Sequence, residues 1–371
     1  MDRLEFTVDR TPLQSLNAWE ILRNTPNVVV KNEVLSVRGN TGIIVTINDK
    51  RTLMTPEELK QFLENTNGDQ IYSIEVITNP PAKYEAEGAA VINIKMKQNK
   101  LTGYKGSVSA RYHQSMYAKG RLGLMQSYNT EKWQLSGNYT FVSGDYMRQN
   151  FDVVTYEQQK TRWESDMVRK TRALQQHLFN LSVQYAPDST TVIQFGIDGH
   201  INPKSTGNYY IPTQIYNTET NLLESHYTTA NDRFQKHSTL NAYLAFDKQF
   251  KNSNLNWSNN FSTKKYIEDQ EISTWQYFVN QPESFSRFGN NSIQDIRLFS
   301  SQVDYRLEKD AFIVESGVKY SLVGNDNQLD FLSEQNGQLL KDIGRSNRFN
   351  YNEQIIAAYI SAEYQWKKWF F

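Results

Sequence analysis

Ile71-Tyr72-Ser73-Ile74-Glu75-Val76-Ile77-Thr78-Asn79-Pro80-Pro81-Ala82-Lys83-Tyr84-Glu85-Ala86-Glu87-Gly88-Ala89-Ala90-Val91-Ile92-Asn93-Ile94 divides the chain into two regions of different character. Ile71, Tyr72, Ile74, Val76 and Ile77 are β-branched or aromatic and read as a strand. Asn79-Pro80-Pro81 stops it, because two prolines remove two backbone donors and fix φ. Gly88 frees the backbone before Val91-Ile92-Asn93-Ile94 resumes as a second strand.

Upstream, residues 1–15 carry no signal of their own, and residues 16–24 predict a short helix. Asn17 and Glu20 have capping-box spacing, Ile21 and Leu22 face a core, and Thr25-Pro26 ends the helix. Val28-Val30 and Val34-Val37 predict strands around a turn, and Ile43-Ile47 a third strand ended by Asn48-Asp49. A second helix opens with Thr55 as N-cap, Pro56 in the first turn and Glu58 completing a box. Its apolar stripe is Leu59, Phe62 and Leu63, and Asn67-Gly68 stops it. Residues 1–98 therefore read as a small α+β unit, with a four-stranded mixed sheet expected within 17–97.

From Leu101 onward the period becomes two. Trp133, Leu135, Gly137, Tyr139 and Phe141 alternate with Gln134, Ser136, Asn138 and Thr140, and Phe179, Leu181, Val183 and Tyr185 alternate with Asn180, Ser182 and Gln184. The pattern recurs at Ile193–Ile197 and at Ile356–Trp366. Repeated dyads of about 10 residues are the signature of membrane-spanning barrel strands. Tight turns fall near 129–131, 186–189, 251–254, 308–310 and after Trp366, with Trp133, Tyr185, Phe250, Trp257, Tyr305, Phe312 and Trp366 beside them as one interfacial girdle. Long polar stretches at 142–172, 203–232, 266–292 and 321–352 lie between and read as loops. The expectation is mainly β: about ten antiparallel strands over 103–113, 117–128, 132–158, 162–185, 190–214, 222–249, 254–278, 285–307, 311–332 and 345–367.

Composition agrees. The 371 residues have zero formal net charge, no cysteine and 13% aromatics, with Tyr 22, Phe 19 and Trp 7. A neutral balance gives no reason to expect a nucleic-acid partner, and the lack of Cys excludes disulfides and thiolate metal sites. The mean hydropathy of −0.67 fits a soluble protein, and equally a barrel whose strands turn one side to water. A soluble β-sandwich with one wet face stays open as an alternative, as a β-rich binding or enzyme module.

These residues resemble the plug domain of TonB-dependent outer-membrane receptors, of the type found in Bacteroidota. The stretch 73–94 is similar to the segment that leads from plug to barrel, Ala18–Val28 to the A-x-x-x-L-x-x-x-P-G-V pattern, and Val37-Arg38-Gly39 and Val45–Asp49 to two plug strands. The resemblance marks Gly39, Asn48, Asn79, Pro80, Tyr84, Gly88 and Asn93 as plug signature positions. Three departures stand out: Asn27 and Asp49 replace common glycines, and Ala89-Ala90 run straight into Val91. The implied organisation is a plug over 1–98 and the first part of a transmembrane barrel over 99–371. The implied role is energy-coupled uptake of a nutrient such as a siderophore, glycan or peptide, with no covalent chemistry. The implied partners are outer-membrane lipid, the TonB-ExbB-ExbD system, the nutrient and a surface lipoprotein.

Ten strands about 4.8 Å apart and tilted about 45° would close a barrel roughly 20 Å across. A unit of about 95 residues is about 30 Å across and suits a barrel of about 22 strands. The expectation is thus an incomplete barrel, with unpaired edges on its first and last strands, from a longer chain that also carries the signal peptide. A structural or adhesion barrel and a non-functional receptor fragment remain alternatives to transport. No catalytic, cofactor or metal-ligating set is expected, the five histidines being scattered. Candidate substrate contacts are Asp198 and His200, two apart on one strand face, and Tyr209 and Tyr210, with Asn208, in a long loop.

Overall fold

The structure is a computed structural model that describes residues 3–31, 34–48, 50–51, 56–66, 68–78, 90–97, 102–278, 281–309, 312–366 and 369–370. Asp49, Thr55, Asn79, Pro80, Tyr84 and Gly88 lie outside the described residues. Two compact units divide the chain at Lys100/Leu101.

The first unit contains β1 (Arg3–Thr7), α1 (Ala18–Arg23), β2 (Val28–Lys31), β3 (Val34–Val37), β4 (Ile43–Ile47), β5 (Lys50–Arg51), α2 (Pro56–Asn65), β6 (Ile71–Ile77) and β7 (Ala90–Met96), with short 3-10 turns at Pro12–Ser15 and Gly68–Gln70. Its sheet runs β1-β6-β7-β4-β5; β6 and β7 pair antiparallel and β4 and β7 parallel. The four-stranded mixed sheet expected within 17–97 is present as β6-β7-β4-β5, and β1, from upstream of that range, adds a fifth strand at its edge. Residues 1–15 were silent in sequence because Arg3–Thr7 is too short to show a period. Pairing with β6 makes it an edge strand, with Glu5 opposite Glu75. The expected strands at 28–30 and 34–37 form a separate hairpin outside this sheet.

Alternation gives the sheet two different faces. On one, Phe6, Ile74, Val76, Ile92, Ile94 and Val45 pack with Ile21 and Leu22 of α1 and Leu59 and Leu63 of α2. Each such side chain contributes about 1.5–3 kcal/mol of burial. The α1 terminus has the full capping box: Glu20 N donates to Asn17 Oδ1 at 2.9 Å and Asn17 N to Glu20 Oε2 at 3.2 Å. Asn27 follows with φ 66, so the asparagine in place of glycine adopts the left-handed turn.

The other face buries polar groups, and they are paired. Asn93, fully buried, donates to Glu75 Oε2 at 2.7 Å and accepts from Thr46 Oγ1 at 2.9 Å. Arg3 forms an ion pair with Glu75. Asn48, with φ 49, ends β4 and accepts from Met96 N at 2.8 Å. Gly39 takes the left-handed turn after β3, at φ 85. The Asp9 carboxyl is held below its usual range by the Lys97 ammonium, which donates at 2.8 Å.

The second unit is one long antiparallel meander: β8 (Gly103–Gln114), β9 (Ala118–Asn129), β10 (Trp133–Tyr156), β11 (Thr161–Asp188), β12 (Thr191–Asn217), β13 (Leu223–Gln249), β14 (Ser253–Phe278), β15 (Ser284–Lys309), β16 (Phe312–Gln335), β17 (Gln338–Lys341), β18 (Asn347–Trp366) and β19 (Trp369–Phe370). Each long strand pairs with its neighbours in sequence, and β17 pairs beside β16. Among the described residues β8 and β19 end the sheet, so the wall is open.

The polar stretches read as loops are mostly strand, as the expected strand bounds overlapping them also have it, and their described connections are short, as at 157–160, 218–222, 281–283 and 342–346. β10 and β11 stay paired from Trp133↔Tyr185 to Tyr156↔Thr161, and β13 and β14 from Gln249↔Asn254 to Ser225↔Phe278 without a slip. Their sequences read as loops because beyond the apolar band neither face needs apolar residues. The ladder propagates there through backbone bonds, with cross-strand polar pairs such as Arg172–Asp145 beside them.

Within the band, register joins mostly apolar positions into rows, interrupted in one of them by Asn259 and Ser301. Trp133, Tyr185, Ile193, Phe246, Trp257, Val303, Val318 and Ala358 are successive cross-strand partners, as are Leu135, Val183, Phe195, Leu244, Asn259, Ser301, Tyr320 and Ile356. Leu181, Phe195, Leu244, Phe261, Ile356 and Ile360 are all solvent-exposed large apolar residues on this face. The opposite rows read Ser136, Ser182, Gly196, Tyr243, Asn260, Ser300 and Ser321. Buried polar residues such as Thr171, Ser205, Asn231, Thr239 and Ser262 stand on that polar side.

Unfolding from a bilayer tests the assignment of faces. Leu181→Arg should destabilise by about 2–4 kcal/mol and Ser182→Arg by much less; equal losses would contradict it.

Candidate functional site

The candidate residues lie on β12, and its register with β13 settles which share a face. Asp198 opposes Asn241, and His200 opposes Thr239. A slip between Asn202 and Ser205 follows, after which Gly207 opposes Arg233, Tyr209 opposes Asn231 and Tyr210 opposes Ala230. Partners in a ladder share a face. The bulge therefore brings the odd-numbered Tyr209 onto the same polar side as the even-numbered Asp198 and His200, and turns Tyr210 to the other side. Asn208, Tyr209 and Tyr210 are strand residues, not loop residues, and Tyr209 and Tyr210 lie on opposite sides of β12.

Asp198 accepts from Asn241 Nδ2 at 2.8 Å, and Asn241 Oδ1 accepts from Ser262 Oγ at 2.6 Å. The His200 ring stands edge-on to that of His237, centroids 5.2 Å apart, and His237 stands edge-on to Tyr266 at 6.2 Å. Beyond His237 lies the most densely bonded group on this face. Arg233 donates from Nε to Glu268 Oε2 at 2.7 Å, from Nη2 to Tyr266 Oη at 3.0 Å and from Nη1 to Tyr209 Oη at 3.3 Å. Gln235 Nε2 donates to Glu268 Oε2 at 2.7 Å, and the Tyr266 hydroxyl also donates to that oxygen. Tyr209 folds back over Gly207, where an added Cβ would stand 3.0 Å from its Cε1. The guanidinium of Arg169, directly across on β11, covers the Tyr209 ring at 4.7 Å from its centroid.

The result is a run of polar and aromatic side chains from Asp198 through His200, His237 and Tyr266 to Arg233, Glu268 and Tyr209. Such a run offers planar stacking surfaces and charged hydrogen-bonding groups. It contains no nucleophile-base pair and, among the described residues, no cluster of metal ligands. Asp198, His200 and Tyr209 are candidates from the sequence, and the register of β12, β13 and β14 sets Arg233, Gln235, His237, Tyr266 and Glu268 on the same face. The signal was present: counting in twos along β13 and β14 from their tight turn sets all five on one face. Tyr266 and Glu268 fall in the polar stretch 266–292 that reads as a loop, whereas Arg233, Gln235 and His237 lie within the strand expected over 222–249, ahead of its apolar alternation at Leu240–Phe246.

Tyr210 lies away from this run. On its side of β12, Asn208 contacts Asp232 at the edge of an open recess of about 550 Å3 whose lining includes Asp269, Glu271 and Leu332.

Residues 245–371 match the family model described as the outer membrane protein beta-barrel family. No curated protein matches the chain. Among solved structures, the ferric yersiniabactin uptake receptor FyuA from Yersinia pestis is similar at 12% identity and a TM-score of 0.43, over 99% of this chain and 62% of that one. The ferric-catecholate import receptor Fiu from K12 E. coli is similar at 10% identity and a TM-score of 0.47, over 98% and 63%. The ferric citrate transporter FecA is similar at 10% identity and a TM-score of 0.32, over 99% and 82%. The chain thus spans less than two thirds of the length of the first two. At these identities and scores the likeness assigns neither ligand nor activity. The family match over residues 245–371 and the apolar outer rows agree on a β-barrel wall located in the outer membrane.

Glu268 is the hub of the bonded group, so Glu268→Gln should cost about 1–3 kcal/mol by leaving Arg233 without its counter-charge. Replacing both, as Arg233→Met with Glu268→Gln, should restore part of that loss. Thermal unfolding of the purified variants reads this out; a cost below about 0.5 kcal/mol would mark the group as energetically idle.

Proposed function

We propose that this chain belongs to an outer-membrane receptor that imports a nutrient with energy from the TonB-ExbB-ExbD system. In this reading residues 1–98 are the plug domain and 99–371 the first part of the barrel, of the type found in Bacteroidota. The observation that carries the reading is the pairing of two unlike units on one chain. A self-contained α+β unit holding Gly39, Asn48 and Asn93 at its turns and core precedes an antiparallel wall with one lipid-compatible face and one polar face. A pore-forming wall alone has no use for the first unit; a gated receptor does.

The role of the polar run follows from its chemistry. Asp198, His200, Tyr209, Arg233, Tyr266 and Glu268 present hydrogen-bonding and stacking groups to a solute on the side away from lipid. Siderophore, glycan and peptide are the nutrient classes in question, and a surface lipoprotein would deliver the larger ones. Binding and gating require no bond-breaking step, so no catalytic residue is assigned.

Deletion of the gene, and separately of the energising system, should slow growth to the same degree on the one nutrient that this receptor serves. A panel of limiting iron, glycan and peptide sources identifies that nutrient. Growth unaffected by the gene's loss on every source would contradict uptake and leave a structural or adhesion barrel. Growth that needs the gene without the energising system would contradict energy coupling.

A further inference from the structure

The polar face of β8–β11 carries cations at closely stacked register positions. Arg111 opposes Arg121, and Arg121 opposes Val142 on β10. One step along the strands Lys119 opposes Gly144, and two further steps along β10 Arg148 opposes Arg169. These ladder pairings place Arg111, Lys119, Arg121, Arg148 and Arg169 on one face. No carboxylate stands between them there among the described residues; the next along β10 is Asp152.

The other side of the same strands is different. Arg172 pairs with Asp145 at 3.3 Å, its direct register partner, and Arg162 with Glu164 at 3.0 Å. Arginines on the outer side are neutralised by neighbours, whereas Arg111, Lys119, Arg148 and Arg169 have no acidic partner among the described residues. Two guanidinium groups directly opposite in a ladder repel each other. That arrangement becomes favourable when an oxyanion lies between them, since each guanidinium offers paired donors in a plane.

Unmet hydrogen bonds mark the same place. The Arg169 Nε is buried without a partner while its guanidinium lies over Tyr209. Thr171, two residues along the same face and only 5% exposed, has a hydroxyl with no partner. Asn231, opposite Tyr209 and 9% exposed, has an unpartnered Oδ1. Buried polar groups are rarely left unpaired unless water, an ion or a ligand completes them.

We infer that Arg148 and Arg169, with the Thr171 hydroxyl beside them, form a subsite for a carboxylate or phosphate group of a small anionic solute. The Tyr209 ring backs the guanidinium of Arg169, and the Asn231 carbonyl accepts from a hydroxyl on the same solute. Lys119, Arg111 and Arg121 extend the positive surface and raise the local concentration of anions. This inference rests on the uptake reading for its physiological meaning, but its chemistry can be measured apart from transport.

The test is calorimetric titration of the whole receptor, purified in detergent, with succinate and with inorganic pyrophosphate. Heat-dependent gel migration verifies that each variant is folded. Binding of at least one probe should weaken about tenfold or more in Arg148→Gln and in Arg169→Gln. It should be unchanged in Arg287→Gln, whose guanidinium is paired with Glu271 at 2.7 Å, and it should fall with added salt as screening shortens. Absence of binding by both probes, or wild-type binding in both arginine variants, would overturn the inference. Energy-dependent growth on the identified nutrient would still stand in that case, so failure of the subsite and failure of the uptake reading are separate results.

Discussion

In hydrocarbon nothing but the chain itself can satisfy a backbone N–H or C=O. Nearly every feature of the second unit follows from that constraint. The strands must run in continuous antiparallel ladders, so their side chains must alternate, and alternation yields one apolar and one polar face. The polar run from Asp198 to Glu268 exists because the ladder does not stop where the apolar band stops. The same bonds carry Arg233, Tyr266 and Glu268 into fixed register, on rigid strands, where loops would have left them loosely placed.

The first unit answers the same demand differently. Its sheet is buried on both sides, so helices cover one face and the polar groups of the other are paired internally. Asn93 fills the place where an apolar residue would leave Thr46 Oγ1 without its acceptor and Glu75 Oε2 without its donor. The network ties β1, β6, β7 and β4 together, and the outermost of these is the edge strand β1, held in part by the Arg3–Glu75 ion pair.

How much was legible in the sequence depended on whether a residue's environment demanded a particular chemistry. Trp133, Leu181 and Ile356 had to be apolar, and their spacing marked strands whose bounds the structure reproduces within a few residues. The capping box at Asn17 and Glu20 was legible because a helix end must satisfy its own donors. Beyond the apolar band neither face has to be apolar, so the stretch 266–292 looked like a loop although its parts over 266–278 and 284–292 are strand. Arg3–Thr7 was invisible because its strand identity comes from β6, not from its own five residues. Tyr209 and Tyr210 looked like one aromatic pair; the bulge between Asn202 and Ser205, which decides their sides, leaves no mark in the sequence. Arg148 and Arg169 are far apart in sequence and meet only through the register of β10 and β11.

The chain has no cysteine, so single cysteines can be introduced without background. Scanning residues 178–185 one at a time in membrane-embedded protein, with accessibility read by a lipid-borne and by a water-borne paramagnetic quencher, tests the alternation directly. Positions 179, 181, 183 and 185 should be quenched from lipid, and positions 178, 180, 182 and 184 should not. Equal quenching at both sets, or a period near 3.6, would contradict a membrane-spanning wall with one lipid face and one polar face.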